Sequence, residues 1–303
     1  MLPPTDLYSL ICQICPTDSH LTPYADIHND FIKTYQSGHL SDWLNHYFHI
    51  HHIKPVLHGT NQPLRFVAQD DLPHGTAYEQ HIHQTGNIPT RDNLHDWFGA
   101  CVWAKFPKSK AVLNAKHIQH YHDNDSGNGR NRVRDAITVF DENGAILVVS
   151  DDDAGDMIAK ALADFDWQTC LVANRQHWHQ PMVDAGRANI NADAKACVFI
   201  FGHALLEQMI NPYKSLCSHT VTVRVPSEFF GQNIDERLAM VDELLSQKLD
   251  QFLDKAVTPK SLNPLPILGV PYFWDNQDPQ FYQDAFVFRS GRANKDKSCT
   301  KSL

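Results

Sequence analysis

The chain has 303 residues, 42% of them apolar, and a formal charge of −9 with its 19 histidines counted neutral. That apolar fraction excludes general disorder, and the acidic balance argues against wholesale nucleic-acid binding. No apolar run approaches the roughly 18 residues of a membrane span, and the start MLPPTDLYSLICQIC lacks the basic leader of a secretory signal.

Seven cysteines, an odd number thinly spread, suit reduced thiols and a cytoplasmic setting. Cys12 and Cys15 have C-x-x-C spacing without a second pair, which reads as buried or incidental thiols.

Residues 1–63 read as a helical, His-rich segment packed on the main domain. Tyr24, Ile27, Phe31 and Tyr35 fall at helical spacing, and SDWLNHYFHI adds a second apolar face. His46, His49, His51, His52 and His58 lack a ligand pattern and are expected to face solvent. Leu64–Val67 reads as a short strand, and residues 77–86 as a helix closed by Gly86.

Residues 87–114 carry the densest signal. Arg91, Asp92, Asn93, His95 and Asp96 precede an apolar run of Leu94, Trp97, Phe98, Cys101, Val102, Trp103 and Phe106 that Pro107 stops. The spacing predicts a helix capped by Asp92 or Thr90 and buried nearly all round. Its polar groups are confined to the first turn, where free N–H groups favour an anion or a catalytic group. Ser109 is a natural cap for a second helix to about Tyr121, bearing a polar stripe of Lys110, Asn114 and His117.

Residues 123–131 read as a loop by composition. Over 132–149 a helix, an Asn143-Gly144 turn and a strand are favoured over a hairpin. A helix over about 154–165, a strand at 169–173 and a loop through Arg187 follow. Residues 191–210 read as one long apolar helix, 219–225 as an alternating strand, and 234–256 as an amphipathic helix with a solvated charged face. The segments 264–274 and 281–289 complete the domain, and 291–303 reads as a flexible basic tail. The expected fold is α/β or α+β, a single helix-rich domain over 64–290 with a small mixed sheet.

Several blocks resemble the bacterial domain-of-unknown-function family 3025. They are LRFVAQDDLPHGTAYEQHIHQTGNIPTRDNLHDWFGACVWAKFPKSKAVLNA, RDAITVFDENGAILVV, FGHALLEQMINPYKSL, and LPILGVPYFW through FYQDAFVFR. The resemblance spans roughly 64–290 and supplies identity without chemistry.

Charged side chains beside strongly apolar sequence mark four candidate places, because such groups are seldom buried unless paired or functional. They are Arg91, Asn93, His95 and Asp96; Arg134 and Asp135; His203 with Glu207; and Asp284 with Arg289. His203 and Glu207 share a helical face at i, i+4, which suits one metal ion or an oriented general base. Asp141-Glu142-Asn143-Gly144 reads as a turn.

Two functional readings follow. In the first, a hydrolase-type enzyme uses His95, Asp96, His203 and Glu207 for acid–base work, or His95, His203 and Glu207 to hold a divalent metal. In the second, a non-catalytic module binds a small phosphate or carboxylate ligand, or a partner protein. Arg91, Asn93, Lys110, Asn114, Arg134, Asp135 and Arg289 are the expected ligand contacts. Signatures of serine hydrolases, nucleotide-binding loops and H-E-x-x-H metalloproteases are missing. Oligomeric state is open at this level.

Overall fold

A computed structural model describes residues 6–122, 131–180 and 193–291. The glycine-containing loop over 123–130, the connection beyond 180 through Arg187, residues 191–192 and the basic tail past 291 lie outside those ranges.

Helices α1 (Leu7–Ile11), α2 (Ala25–Thr34) and α3 (Leu40–Ile50) form the N-terminal layer. Their apolar faces meet in an aromatic cluster: the rings of Phe31 and Trp97 lie 4.6 Å apart, and those of Trp43 and Trp97 5.8 Å. The five N-terminal histidines singled out above are all exposed.

Strand β1 (Arg65–Ala68), α4 (Tyr78–Thr85) and β2 (Asn87–Thr90) make a parallel β-α-β unit. Gly86 closes α4 in the left-handed conformation at φ 72°, as its position predicts. Pro89 obscures β2 in the sequence; a two-stranded sheet tolerates it because it has free edges.

Helix α5 (Leu94–Lys105) runs through the core with Trp97, Phe98, Cys101, Val102 and Trp103 all buried. Its cap is Asn93, whose side-chain oxygen accepts from the Asp96 N–H at 2.8 Å, and not Asp92 or Thr90. Asp92 points the other way and accepts from the Leu40 N–H at 2.7 Å, so it caps α3. Pro107 ends α5 and opens α6 (Pro107–His122) at the first helical position, where a missing N–H costs nothing. Ser109 therefore lies inside α6. The α6 N-terminus is capped from afar by Asp242, which accepts from the Lys108 and Ser109 N–H groups at 3.0 and 2.9 Å.

Helix α7 (Arg132–Asn143), capped by Asn131, leads directly into strand β3 (Gly144–Ser150), all of whose residues are buried. Helix α8 (Asp153–Ala163) follows, then a π-helical turn over Gln168–Ala173 where a strand was expected. Cys170 and Leu171 are both fully buried, and Asp166 anchors the turn by accepting from the Thr169 N–H.

The long helix expected over 191–210 is instead strand β4 (Ala196–Ile200) and a short helix α9 (His203–Gln208). The run is apolar on both faces because β4 is covered on both, and such strands have no period to separate them from buried helices. Strand β5 (Cys217–Val225), helix α10 (Ile234–Leu253) and strand β6 (Asn263–Pro266) complete the order. The main sheet runs β4-β3-β5-β6, with β3 and β5 parallel and both outer pairings antiparallel. The charged face of α10 is not wholly solvated: Arg237 and Asp242 are buried. No described helix is long and apolar enough to cross a membrane, and no disulfide joins two described cysteines.

Candidate metal centre

Three helix ends meet at one point. His95 lies in the first turn of α5, His203 opens α9, and Glu142 lies in the last turn of α7. Residues 95 and 203, 108 positions apart, come into contact because α9 packs on α5. Glu142 and its neighbour Asp141 stand at a helix C-terminus, where the macrodipole opposes carboxylates. Nothing local favours them there.

The Nε2 atoms of His95 and His203 face each other at 3.0 Å. A Glu142 carboxylate oxygen lies 3.5 Å from the His203 Nε2 and 4.0 Å from that of His95. The far nitrogens decide the protonation pattern. His203 Nδ1 is 2.8 Å from the Asp141 backbone carbonyl, which only accepts, so this nitrogen carries the proton. His95 Nδ1 is 3.3 Å from a Glu207 carboxylate oxygen, again an acceptor. With each ring neutral and its proton on Nδ1, both Nε2 atoms present a lone pair. Two such lone pairs and a carboxylate converge with no proton of their own among them.

Such a convergence is the arrangement that a metal cation fits. Two imidazole nitrogens bonded at about 2.1 Å to one ion lie about 3.0 Å apart at a right angle and about 3.4 Å apart at the tetrahedral angle of zinc, so the observed 3.0 Å pair needs only a slight opening. Burial holds the His203 imidazole below its usual range, helped by the Lys110 ammonium and opposed by the Asp141 and Glu142 carboxylates, which favours the neutral, ligating form. A backbone carbonyl behind one histidine and a carboxylate behind the other fix tautomer and ring orientation, the usual outer support of metal-bound histidines. Among the described residues, His95, Glu142 and His203 alone form such a group.

The centre lies on a cleft of about 360 Å³ whose walls include Tyr78, Glu79, Thr90, Arg91, Trp103 and Lys110. An adjoining cavity of about 290 Å³ shares several of these walls and adds Asn114 and His117. Lys110 donates to Asp141 at 2.5 Å. Burial alone would raise the Asp141 carboxyl, but the Lys110 ammonium, as charge and as hydrogen-bond donor, offsets it and the carboxyl lies below the usual range. Glu79 behaves oppositely. Burial, reinforced by the Asp141 charge, raises its carboxyl, and Asn114 donates to it at 2.5 Å.

The sequence-predicted residues divide sharply. His95 and His203 come together, with Glu207 behind His95 and not beside the paired Nε2 atoms. Glu142, read as part of a turn, supplies the nearest carboxylate instead. Asp96 faces away from the histidines: it accepts from the Arg91 backbone N–H and, through both oxygens, from the Arg91 guanidinium. Asn93 is the α5 cap, and Asn114 and Lys110 line the cleft system.

The four cations expected to grip an anion do not assemble. Arg91 and Lys110 are matched by Asp96 and Asp141. Arg134 stacks on Tyr121 at 4.8 Å and approaches His117, whose imidazole burial pushes down to about 4. Asp135 sits in the first turn of α7, at the opposite end from Glu142. Arg289 lines a separate cavity. Sequence spacing carries no trace of Glu79, and the one signal for Glu142 was a pair of carboxylates at the unfavourable end of a helix.

These features define a helix-rich α/β protein with a histidine–carboxylate centre at the junction of three helices. The chain belongs to the family described as Protein of unknown function (DUF3025), whose profile matches residues 64–292. Every residue of the centre falls inside that range, and α1–α3 precede it. Comparison with curated proteins and with solved structures returns no match.

Proposed function

We propose that His95, His203 and Glu142 bind one divalent transition metal ion, zinc first among them, and that the protein is a metal-dependent hydrolase. The observation that carries this reading is the facing pair of Nε2 atoms at 3.0 Å, each made a lone pair by an acceptor on its far nitrogen. Two histidines and one glutamate are a common catalytic zinc set, because they leave a coordination position for water or substrate. Bound metal would lower the pKa of that water and polarise a carbonyl or phosphoryl oxygen.

The chain's own groups support this chemistry. Glu207 orients His95, and the Asp141 carbonyl orients His203. Glu79 lines the same cleft with a raised carboxyl pKa, which suits a group that accepts a proton from water and returns it to a leaving group. Arg91 and Lys110 are already neutralised by carboxylates, so the metal is the positive charge that a substrate oxygen would meet. The same pairing weighs against a purely anion-binding module, which needs uncommitted cations in its pocket.

The test is metal analysis of protein purified without chelator and reconstituted with zinc. One equivalent per chain is expected, falling below about one tenth in His203→Ala and Glu142→Gln. Wild-type protein that retains no metal after reconstitution overturns the reading. Ester, amide and phosphoester substrates, offered with and without zinc, then separate hydrolysis from metal storage.

A further inference from the structure

A cavity of about 600 Å³ lies on the β6 edge of the main sheet and shares no lining residue with the metal cleft. Its walls are mostly apolar and aromatic, with Phe165, Trp167, Phe286, Leu262, Pro264 and Pro266 prominent. The volume falls within the roughly 300–1,000 Å³ of small-molecule sites, which pair an apolar lining with a few placed polar groups.

Four polar groups are placed here. Arg289 stacks its guanidinium on the Phe286 ring at 5.0 Å and donates Nε to the Phe286 carbonyl at 3.1 Å. Those two contacts set the plane of the fork and leave its terminal amino groups for a ligand. Trp167 donates its indole N–H to the Arg289 carbonyl at 2.8 Å, which fixes the backbone beneath. Lys260 lines the same cavity, and among the described residues no carboxylate pairs with either cation. His219 adds a buried Nδ1 without a hydrogen-bond partner. This is the reverse of the metal cleft, where Arg91 and Lys110 are both matched. An arginine fork resting over an aromatic ring fits a planar carboxylate, and the flanking rings fit an arene.

We infer that this cavity is a second ligand site, built for an aromatic carboxylate, with the acid group on Arg289 and Lys260 and the ring among Trp167, Phe286 and Phe165. The inference stands independently of the metal reading.

Calorimetric titration with 2-naphthoate tests it, with naphthalene-2-methanol as the uncharged control. Naphthoate is expected to bind with a Kd below about 1 mM. Naphthalene-2-methanol and the Arg289→Gln variant should each weaken binding by about tenfold or more, the value of one charge-assisted pair. Arg289 is exposed, so this variant should fold normally. His203→Ala should bind naphthoate as the wild type does. The proposal is overturned if naphthoate does not bind, if the alcohol binds equally well, or if Arg289→Gln leaves the affinity unchanged.

Discussion

Gly202 lies flush against Glu142: a methyl group on Gly202 would sit 2.4 Å from the Glu142 carbonyl oxygen. The contact joins the end of α7 to the start of α9, one residue before His203, and it is reinforced by the Gly202 N–H donating to the Gly144 carbonyl at 2.8 Å. Gly202→Ala cannot be absorbed by a side-chain rotation, since all three nearest atoms are backbone. We expect a loss of about 1–3 kcal/mol by overpacking. Zinc affinity should fall as well, because the same shift moves His203 relative to Glu142. Chemical denaturation with and without zinc measures both.

Glu207→Gln keeps an oxygen for the His95 Nδ1–H but removes the charge that makes the ring a better donor to metal. Zinc affinity should drop about 10- to 100-fold, while the metal-free protein keeps its melting temperature. An unchanged zinc affinity would show that Glu207 is only a surface neighbour of the histidine.

His95 and Trp97 sit two residues apart on α5 and should respond in opposite ways. The His95 side chain is 34% exposed, and His95→Gln should cost under about 1 kcal/mol while abolishing stabilisation by zinc. Trp97 is 1% exposed, and Trp97→Ala should cost roughly 3–5 kcal/mol through the cavity it opens. Equal losses from the two would make His95 a structural post.

His20 is buried with neither ring nitrogen bonded, and burial pushes it down to about 4. The unfolded chain titrates near 6.5, so between those values it takes up a proton that the folded chain refuses. Stability therefore falls as pH drops from about 6.5 towards 4, by about 2 kcal/mol at pH 5. His20→Leu should flatten that part of the profile, and the difference from wild type should shrink above pH 7. Urea titrations at several pH values decide it; parallel profiles would rule out His20 as the source.

The α5 stretch was legible because its apolar spacing and polar first turn are local properties, and so were β1, α4, α7 and β5. The β4–α9 segment was not, since a strand covered on both faces carries no period, and the break falls at a glycine selected by distant backbone. His95 and His203 could be marked as out of place among apolar neighbours, but their meeting is tertiary. Glu142 hid in a run that reads as turn chemistry. The cations were legible as charges and misleading as a set, because Asp96 and Asp141 had yet to be matched to Arg91 and Lys110.

Asp92 gives one of its oxygens to the first turn of α3, although it stands one residue before the cap of the helix that bears His95. Trp97 likewise shares its ring contacts with Phe31 and Trp43. The boundary of similarity at residue 64 therefore cuts across a single folding unit. A chain begun at residue 64 would uncover an indole and leave a carboxylate without its helix, and we expect it to aggregate when expressed. The first sixty residues, which precede the matched range, serve as the wall behind a site to which they contribute no ligand.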